Sequence, residues 1–417
     1  MKLRRVGRLA FLLSLLLLLA SCSPTQDAGQ GQSADRQETP CASSEAAQAG
    51  HLYEYDKGRQ EAEALIEGYL QKSVSYKPLS DPEDLYNLSE VTNVHMVSML
   101  TGEYSLNQTK TRYGVGGTDL GICIGKEDEI FIFFGDTFKH ETMEGNWRSN
   151  VAAVTTDRDY TDGIAFDRMI TTQTGTAKEL LRGKKSDNNE VTKIPTGGIC
   201  IGDTLYLSFM SVKHWGEPGE WDCNYGAVAK STDDGETWEV LEQLRWAGDT
   251  EFCQMAPVLV EDMVYVSGIG GGRNGNAKLM RVPVSEYENR GAYEYLTGYG
   301  EDGSPVFEKG EQALESACVF LPKPVGEMSF LYSEYLGEWL VTYLSTENLV
   351  LRTAKDIWGP YSTAVTIAAQ EDYPGLYGAF MNPHYVSEDG KKVGFLMSLW
   401  LPVYNVAVME MELVRGA

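Results

Sequence analysis

Gly116-Gly117-Thr118-Asp119-Leu120-Gly121-Ile122-Cys123-Ile124, followed after one polar turn by Ile130-Phe131-Ile132-Phe133-Phe134, decides the architecture. Two apolar runs of strand length around a turn from Gly125 to Glu129 read as an antiparallel hairpin. The pattern returns four times. Gly197-Gly198-Ile199-Cys200-Ile201 leads to Leu205-Tyr206-Leu207-Ser208-Phe209, and Met255-Ala256-Pro257-Val258-Leu259-Val260 leads to Met263-Val264-Tyr265-Val266. Ser316-Ala317-Cys318-Val319-Phe320 leads to Met328-Ser329-Phe330-Leu331-Tyr332, and Phe380-Met381-Asn382-Pro383-His384-Tyr385 leads to Val393-Gly394-Phe395-Leu396-Met397. More strand material follows each, such as Tyr225 to Ala229 or Trp339 to Leu344. A multi-strand unit that restarts in this way is a propeller blade. One blade cannot bury both of its faces, so blades pack around an axis. Five openings predict an all-β, five-bladed β-propeller over residues 91–417. A β-sandwich is the alternative, but its strands would not restart with the same paired pattern.

Composition fits this reading. Of 417 residues, 42% are hydrophobic and 11% aromatic, which provides a sizeable core and excludes wholesale disorder. The 43 Gly and 23 Tyr favour short strands and turns. The formal net charge of −25 rules out a nucleic-acid backbone reader. It also argues against a strongly anionic substrate, unless a local basic patch hides inside the total.

The first residues read as an address. Lys2, Arg4, Arg5 and Arg8 precede an apolar run from Leu9 to Ala20, too short to span a bilayer comfortably. Leu19-Ala20-Ser21-Cys22 is a bacterial lipobox, so residues 1–21 are expected to be removed and Cys22 to carry lipid. Removal takes the formal charge from −25 to −29. Residues 22–55 read as a flexible tether and 56–90 as a helical and irregular lead-in, with Ala62, Leu65, Ile66, Tyr69 and Leu70 at helical spacing. The expected place is outside the cytoplasm, on a bacterial membrane through the lipid, as a monomer. The remaining cysteines show no CxxC or zinc spacing. A disulfide is expected to be possible, without an assignable pairing.

Ser231-Thr232-Asp233-Asp234-Gly235-Glu236-Thr237-Trp238 matches the Asp-box, S-x-D-x-G-x-T-W. Its Asp and Gly shape a hairpin turn and its Trp plugs the blade, so it is structural. The chemistry points elsewhere. If Ile124 pairs with Ile130, Asp119 falls opposite residue 135, next to Asp136, and both carboxylates share one end of a hairpin. Such a pair suits a general acid and a general base for glycoside hydrolysis. Spacing alone leaves equally open a strand-capping Asp and a turn Asp. It also leaves open both the retaining and the inverting separation. Asp119 is read as the base, being nearer the axis, and Asp136 as the acid, in exchangeable roles.

Arg148, Ser149 and Asn150 sit where loops feed the same pocket and are read as sugar-binding groups, with a bridging structural Arg as the alternative. Trp147, His214, Trp215, Trp221, Tyr225, Tyr377, Trp400 and Tyr404 are dense near the openings, either as stacking faces for sugars or as core between blades. His384 is a weaker candidate for the axis. Glu251, Glu315 and Glu334 are reserve carboxylates. The chemistry requires no metal and no cofactor.

The run Gly117-Thr118-Asp119-Leu120-Gly121, then Phe134-Gly135-Asp136-Thr137-Phe138, then Arg148-Ser149-Asn150, resembles the endo-D-arabinanases of glycoside hydrolase family 183, earlier catalogued as a domain of unknown function. Met210-Ser211-Val212 with Trp215-Gly216, Gly272-Arg273-Asn274-Gly275, Leu279-Met280-Arg281-Val282 and Tyr293-Glu294-Tyr295 agree in order. So do Trp358-Gly359-Pro360-Tyr361-Ser362 and Ser398-Leu399-Trp400 with Tyr404-Asn405-Val406. The resemblance spans roughly residues 110–412. It departs at Tyr361, where Trp is expected, and in the amino-terminal tether and helix. It implies a five-bladed propeller that cleaves internal α-D-arabinofuranosyl linkages, as found in mycobacterial arabinogalactan and lipoarabinomannan, by an inverting mechanism. The essential aspartates would be Asp119 and Asp136, and Arg148, Asn150, Trp215, Arg273, Trp400 and Tyr404 are expected to contact substrate. The alternatives are a hydrolase of another furanoside and a non-catalytic glycan-binding propeller. A sialidase-like enzyme is disfavoured because one Asp-box comes without a matching arginine set.

Overall fold

The computed structural model describes residues 59–76 and 86–416. The lipobox, Cys22 and the tether lie outside the described residues. Five antiparallel sheets form the blades of a propeller, as the recurring hairpins predict. In blade one, Leu120–Lys126 is innermost, followed outward by Glu129–Phe134, Val151–Thr155 and Arg168–Met169. Blade two runs Thr192–Ile201, Thr204–Trp215, Trp221–Ser231 and Glu239–Ala247. Blade four runs Ser329–Ser333, Glu338–Ser345, Asn348–Ala354 and Val365–Ala368.

Blade three corrects one expected opening. Gln254–Val260, Met263–Ile269 and Gly275–Pro283 form its inner strands. The chain then makes an excursion through Glu294–Tyr299, Pro305–Lys309 and a short helix, Glu311–Ser316. The run expected to open blade four, around Cys318 and Phe320, instead becomes Val319–Val325 and pairs with Gly275, Ala277 and Lys278 of blade three. Val319–Val325 pairs with this one strand only, which suits a segment in which Pro322 and Pro324 supply no ladder donors.

Blade five closes the ring. Leu376–Val386, Lys392–Leu399 and Asn405–Arg415 come from the carboxyl-terminal end, and Leu88–Met99 and Ser73–Tyr76 from the amino-terminal side. Leu88–Met99 pairs along Asn405–Arg415 from Leu88 opposite Arg415 to Met99 opposite Ala407. It buries Leu88, Val91, Val94, Met96 and Met99. The expected helix is present at 59–70. It buries Ala62, Ile66 and Tyr69 but leaves Leu65 and Leu70 exposed. Among the described residues, no helix is long and apolar enough to cross a membrane.

Two features stiffen the blades. Cys223, in the third strand of blade two, forms a disulfide with Cys253, just ahead of the inner strand of blade three. In the Asp-box, Asp233 Oδ1 accepts from the Ser231 hydroxyl (2.8 Å) and the Thr237 N–H (2.9 Å). The Trp238 ring meets Phe133 edge-on at 5.5 Å, filling the seam between blades one and two. This turn joins the lower ends of its strands and pairs with Lys126, at the far end of the strand that Asp119 precedes. It lies away from the acid pair, as its structural reading requires.

Candidate active site

Asp119 and Asp136 meet at one end of the axis through a register that differs in detail from the expected one. Ile124 pairs with Phe131 rather than Ile130, while Leu120 still pairs with Phe134. The one-residue slip is absorbed by a bulge at Leu120 and Gly121, whose φ angles are 69° and 117°. Beyond it the Gly135 N–H donates to the Asp119 carbonyl at 3.2 Å, and Gly117 bridges to Phe138. The hairpin therefore continues to the mouth of the axis with the two aspartates side by side.

The carboxylates have different surroundings. The Tyr377 hydroxyl donates to Asp119 Oδ2 at 2.8 Å. Oδ1 is sealed from solvent and has no hydrogen-bond partner. Desolvation pushes Asp119 up to about 7. The Tyr377 hydrogen bond opposes this, the neighbouring Asp136 charge adds to it, and Tyr404 and Arg273 pull it down. Asp136 is 9% exposed. Its Oδ1 accepts from the Trp147 indole N–H and from the Thr192 hydroxyl, both at 2.6 Å. Desolvation raises Asp136 to about 6, against those two hydrogen bonds and the Lys185 charge. Lys185 lies 4.2 Å from the centre of the Trp147 ring and pairs with Glu179 at 3.2 Å.

Gly135 makes room for this arrangement. A Cβ at that position would overlap Asp119 Oδ1, the free end of the carboxylate rather than the backbone. Gly135→Ala should therefore leave the melting temperature nearly unchanged and lower kcat at least ~10-fold by displacing the carboxylate. Thermal unfolding and steady-state kinetics on one preparation check both parts.

The structure distributes the other expected ligand groups unevenly. Tyr404 is buried beside Asp119, with its ring edge-on to Phe138 at 6.1 Å. Trp400 is 51% exposed and Trp215 39% exposed, so both indoles remain free to stack. Trp215 stands edge-on to Trp221 at 5.4 Å, and Trp221 lines a polar cleft of about 430 Å³ with His214, Glu220 and Asn274.

Arg148 and Asn150 do not fit the sugar-binding reading. The Arg148 guanidinium donates to the carbonyls of Asn146, Ala177 and Gly114. Asn150 is fully buried, holding Leu180, Leu181 and Lys193 by their backbones. Buried carbonyls and N–H groups of the long loop after blade one need partners, and these side chains supply them. Ser149 has the same role, its Oγ accepting from Gly183 N–H and Lys185. Arg273 is committed to Glu327 at 2.7 Å and lies 4.5 Å from the Tyr377 ring centre and 5.3 Å from that of Trp221. It braces the wall behind Asp119.

His384 lies beside Gly125, at the opposite end of the innermost strand. Glu334 lines a cavity at that end, Glu315 sits on the outer helix of blade three, and Glu251 pairs with Lys278. None of them reaches the pair. No sequence motif singles out Thr192 or Glu327. They share one rule with Asp119, Gln254 and Tyr377: each lies at or next to the mouth end of an innermost strand, one per blade.

The fold and site together define a five-bladed propeller with two buried carboxyls, Asp119 and Asp136, at the mouth end of its first blade. The chain belongs to the family described as Domain of unknown function (DUF4185), whose model matches residues 104–410. It is 30% identical over 321 residues to Notoamide biosynthesis cluster protein J of Aspergillus sp. (strain MF297-2), covering 71% of this chain and 83% of that protein. It is also similar to the solved structure of a Bacteroides ovatus ATCC 8483 protein proposed to be a hydrolase. That match has a TM-score of 0.54 and 12% identity, and covers 81% of this chain and 93% of the other. At that identity the likeness is one of fold.

Proposed function

We propose that this protein is a glycoside hydrolase that cleaves internal α-D-arabinofuranosyl linkages in D-arabinan. The observation that carries the reading is the juxtaposition of Asp119 and Asp136, both held above the ordinary carboxylate range at the mouth of the axis. Glycoside hydrolysis needs one carboxyl to protonate the leaving oxygen and a second to activate water or attack the sugar. The surroundings favour the reverse of the expected roles. Asp119, with one orphaned oxygen and the higher value, holds the proton and serves as acid. Asp136, whose Oδ1 takes two donors, stays ionised and serves as base. Exposed Trp215 and Trp400 would offer faces on which sugar rings stack. The inverting course and D-arabinan as substrate rest on the family resemblance, and anchorage to a bacterial membrane through Cys22 rests on the lipobox.

The test is to incubate the protein lacking residues 1–21 with mycobacterial arabinogalactan and with plant L-arabinan. Oligosaccharides are expected from the first. Release from neither substrate sinks the assignment, and release only from L-arabinan redirects it to another furanoside. The pH profile supplies a second check. Activity should rise as Asp136 loses its proton near pH 6 and fall as Asp119 loses its own near pH 7. A bell in kcat/KM centred between those limbs is expected, and a plateau up to pH 9 would contradict the acid role of Asp119.

A further inference from the structure

The protein carries 60 acidic and 35 basic side chains, yet residues 178–193 hold five cations against three carboxylates. This segment leads from blade one into blade two, past the acid pair. Its carboxylates are already engaged. Glu179 accepts from the Ser149 N–H and pairs with Lys185, and Asp187 pairs with His214. Buried Glu190 takes the hydroxyls of Ser211 (2.8 Å) and Tyr225 (3.3 Å). The cations are less committed. Lys184 reaches only the Asn189 side chain, at 3.3 Å, and Lys193 stands 3.9 Å from Glu190.

These groups open onto a recess of about 440 Å³ on the mouth side of blade two, lined by Lys184, Glu190, Lys193, Tyr225 and Arg245 among others. Lys193 follows Thr192, the residue that donates to Asp136, so the recess begins one residue along the strand from a contact of the acid pair. Arg245 comes from the outermost strand. It pairs with Glu242 through a terminal nitrogen and rests 4.4 Å from the Tyr225 ring centre. Its Nε is buried with no acceptor. A guanidinium N–H buried in this way lacks the partner that such groups almost always have. Three cations line the recess with one satisfied carboxylate, and even with Glu242 held by Arg245 the group keeps a net positive charge and one orphaned donor, which makes it a receptor for negatively charged oxygen.

We propose that this recess binds an anionic oxygen substituent, a carboxylate or phosphate ester, borne by the glycan near the bond that is cut. The proposal rests on the reading of the protein as a glycan hydrolase and narrows its substrate to a chain decorated with such groups. The local positive charge explains how an acidic protein would accept one.

Isothermal titration calorimetry of the mature chain at low ionic strength, with inorganic phosphate and separately with succinate as probes, tests it. Saturable binding of at least one probe is expected, weakened at least tenfold in Lys193→Gln. Because Lys193 is partly buried, Lys184→Glu is the second variant. It is exposed, should unfold at the wild-type temperature, and should also lose binding. Absence of saturable binding in the wild-type protein, or equal binding in both variants, overturns the site. Hydrolysis is read separately. Arabinan cleavage without probe binding removes the recess and leaves the proposed function, whereas probe binding without cleavage of any arabinan removes the glycan as bearer of the anion.

Discussion

Asp119→Asn should reduce hydrolysis by about 10²–10⁴-fold, the range expected for loss of a positioned proton donor, and should make the protein more stable at pH 8. The stability gain follows from the sign of the shift. The folded state holds Asp119 at about 7, against the 3.8 of a freely solvated aspartate. Below pH 4 the carboxyl is protonated in both folded and unfolded chains and costs nothing. As pH rises from 4 to 7, the unfolded chain ionises freely while the folded one resists, so stability falls. Above 7 the full penalty is present. Three pKa units correspond to about 4 kcal/mol, an upper figure for a side chain that is partly exposed. Asparagine is neutral, similar in shape and able to accept from Tyr377. The melting temperature at pH 8 should therefore rise by several degrees, and the gain should disappear at pH 4. An unchanged or lower melting temperature at pH 8 would show that burial does not govern this carboxyl. Asp136→Asn should abolish activity as well but gain less stability, since two donors already offset its charge.

A chain beginning at residue 104, where the family match begins, should fail to fold cooperatively. It would lack Leu88–Met99, the strand that lies along Asn405–Arg415. The five apolar side chains that this strand buries contribute roughly 10 kcal/mol together, comparable with the whole stability of an ordinary domain. The exposed ladder of Asn405–Arg415 would then invite pairing with another chain. A chain beginning at residue 59 keeps the strand and should unfold in a single transition. Equal melting temperatures for the two would contradict the importance of the closure.

The number of blades is legible in the sequence because a hairpin is a local object: alternating apolar residues and one tight turn declare it. Closure is not local. Nothing near Val91 announces a partner at Leu413, and only the assembled ring brings them together. Phase was harder to read than count. Gly197 looks like an opening, but the innermost strand starts at Thr192 and Gly197 sits at an irregularity within it. That offset hid Thr192, the residue that touches Asp136. The acid pair itself was legible because strand register ties 119 to 135 even with a bulge between. Arg148 and Asn150 misled because polar side chains after an acid resemble ligand groups. Their buried backbone neighbours, which claim them, belong to distant sequence. Glu327 belongs to no motif, and only its place at the mouth of blade four gives it meaning.

Gly135 offers a way to sort relatives by inspection. Only a hydrogen fits between its backbone and Asp119 Oδ1. Selection that keeps the reaction must therefore keep this glycine, while selection that keeps only the scaffold need not. A related chain with both aspartates but alanine or serine here would be expected to have kept the shape of the pocket and given up its chemistry.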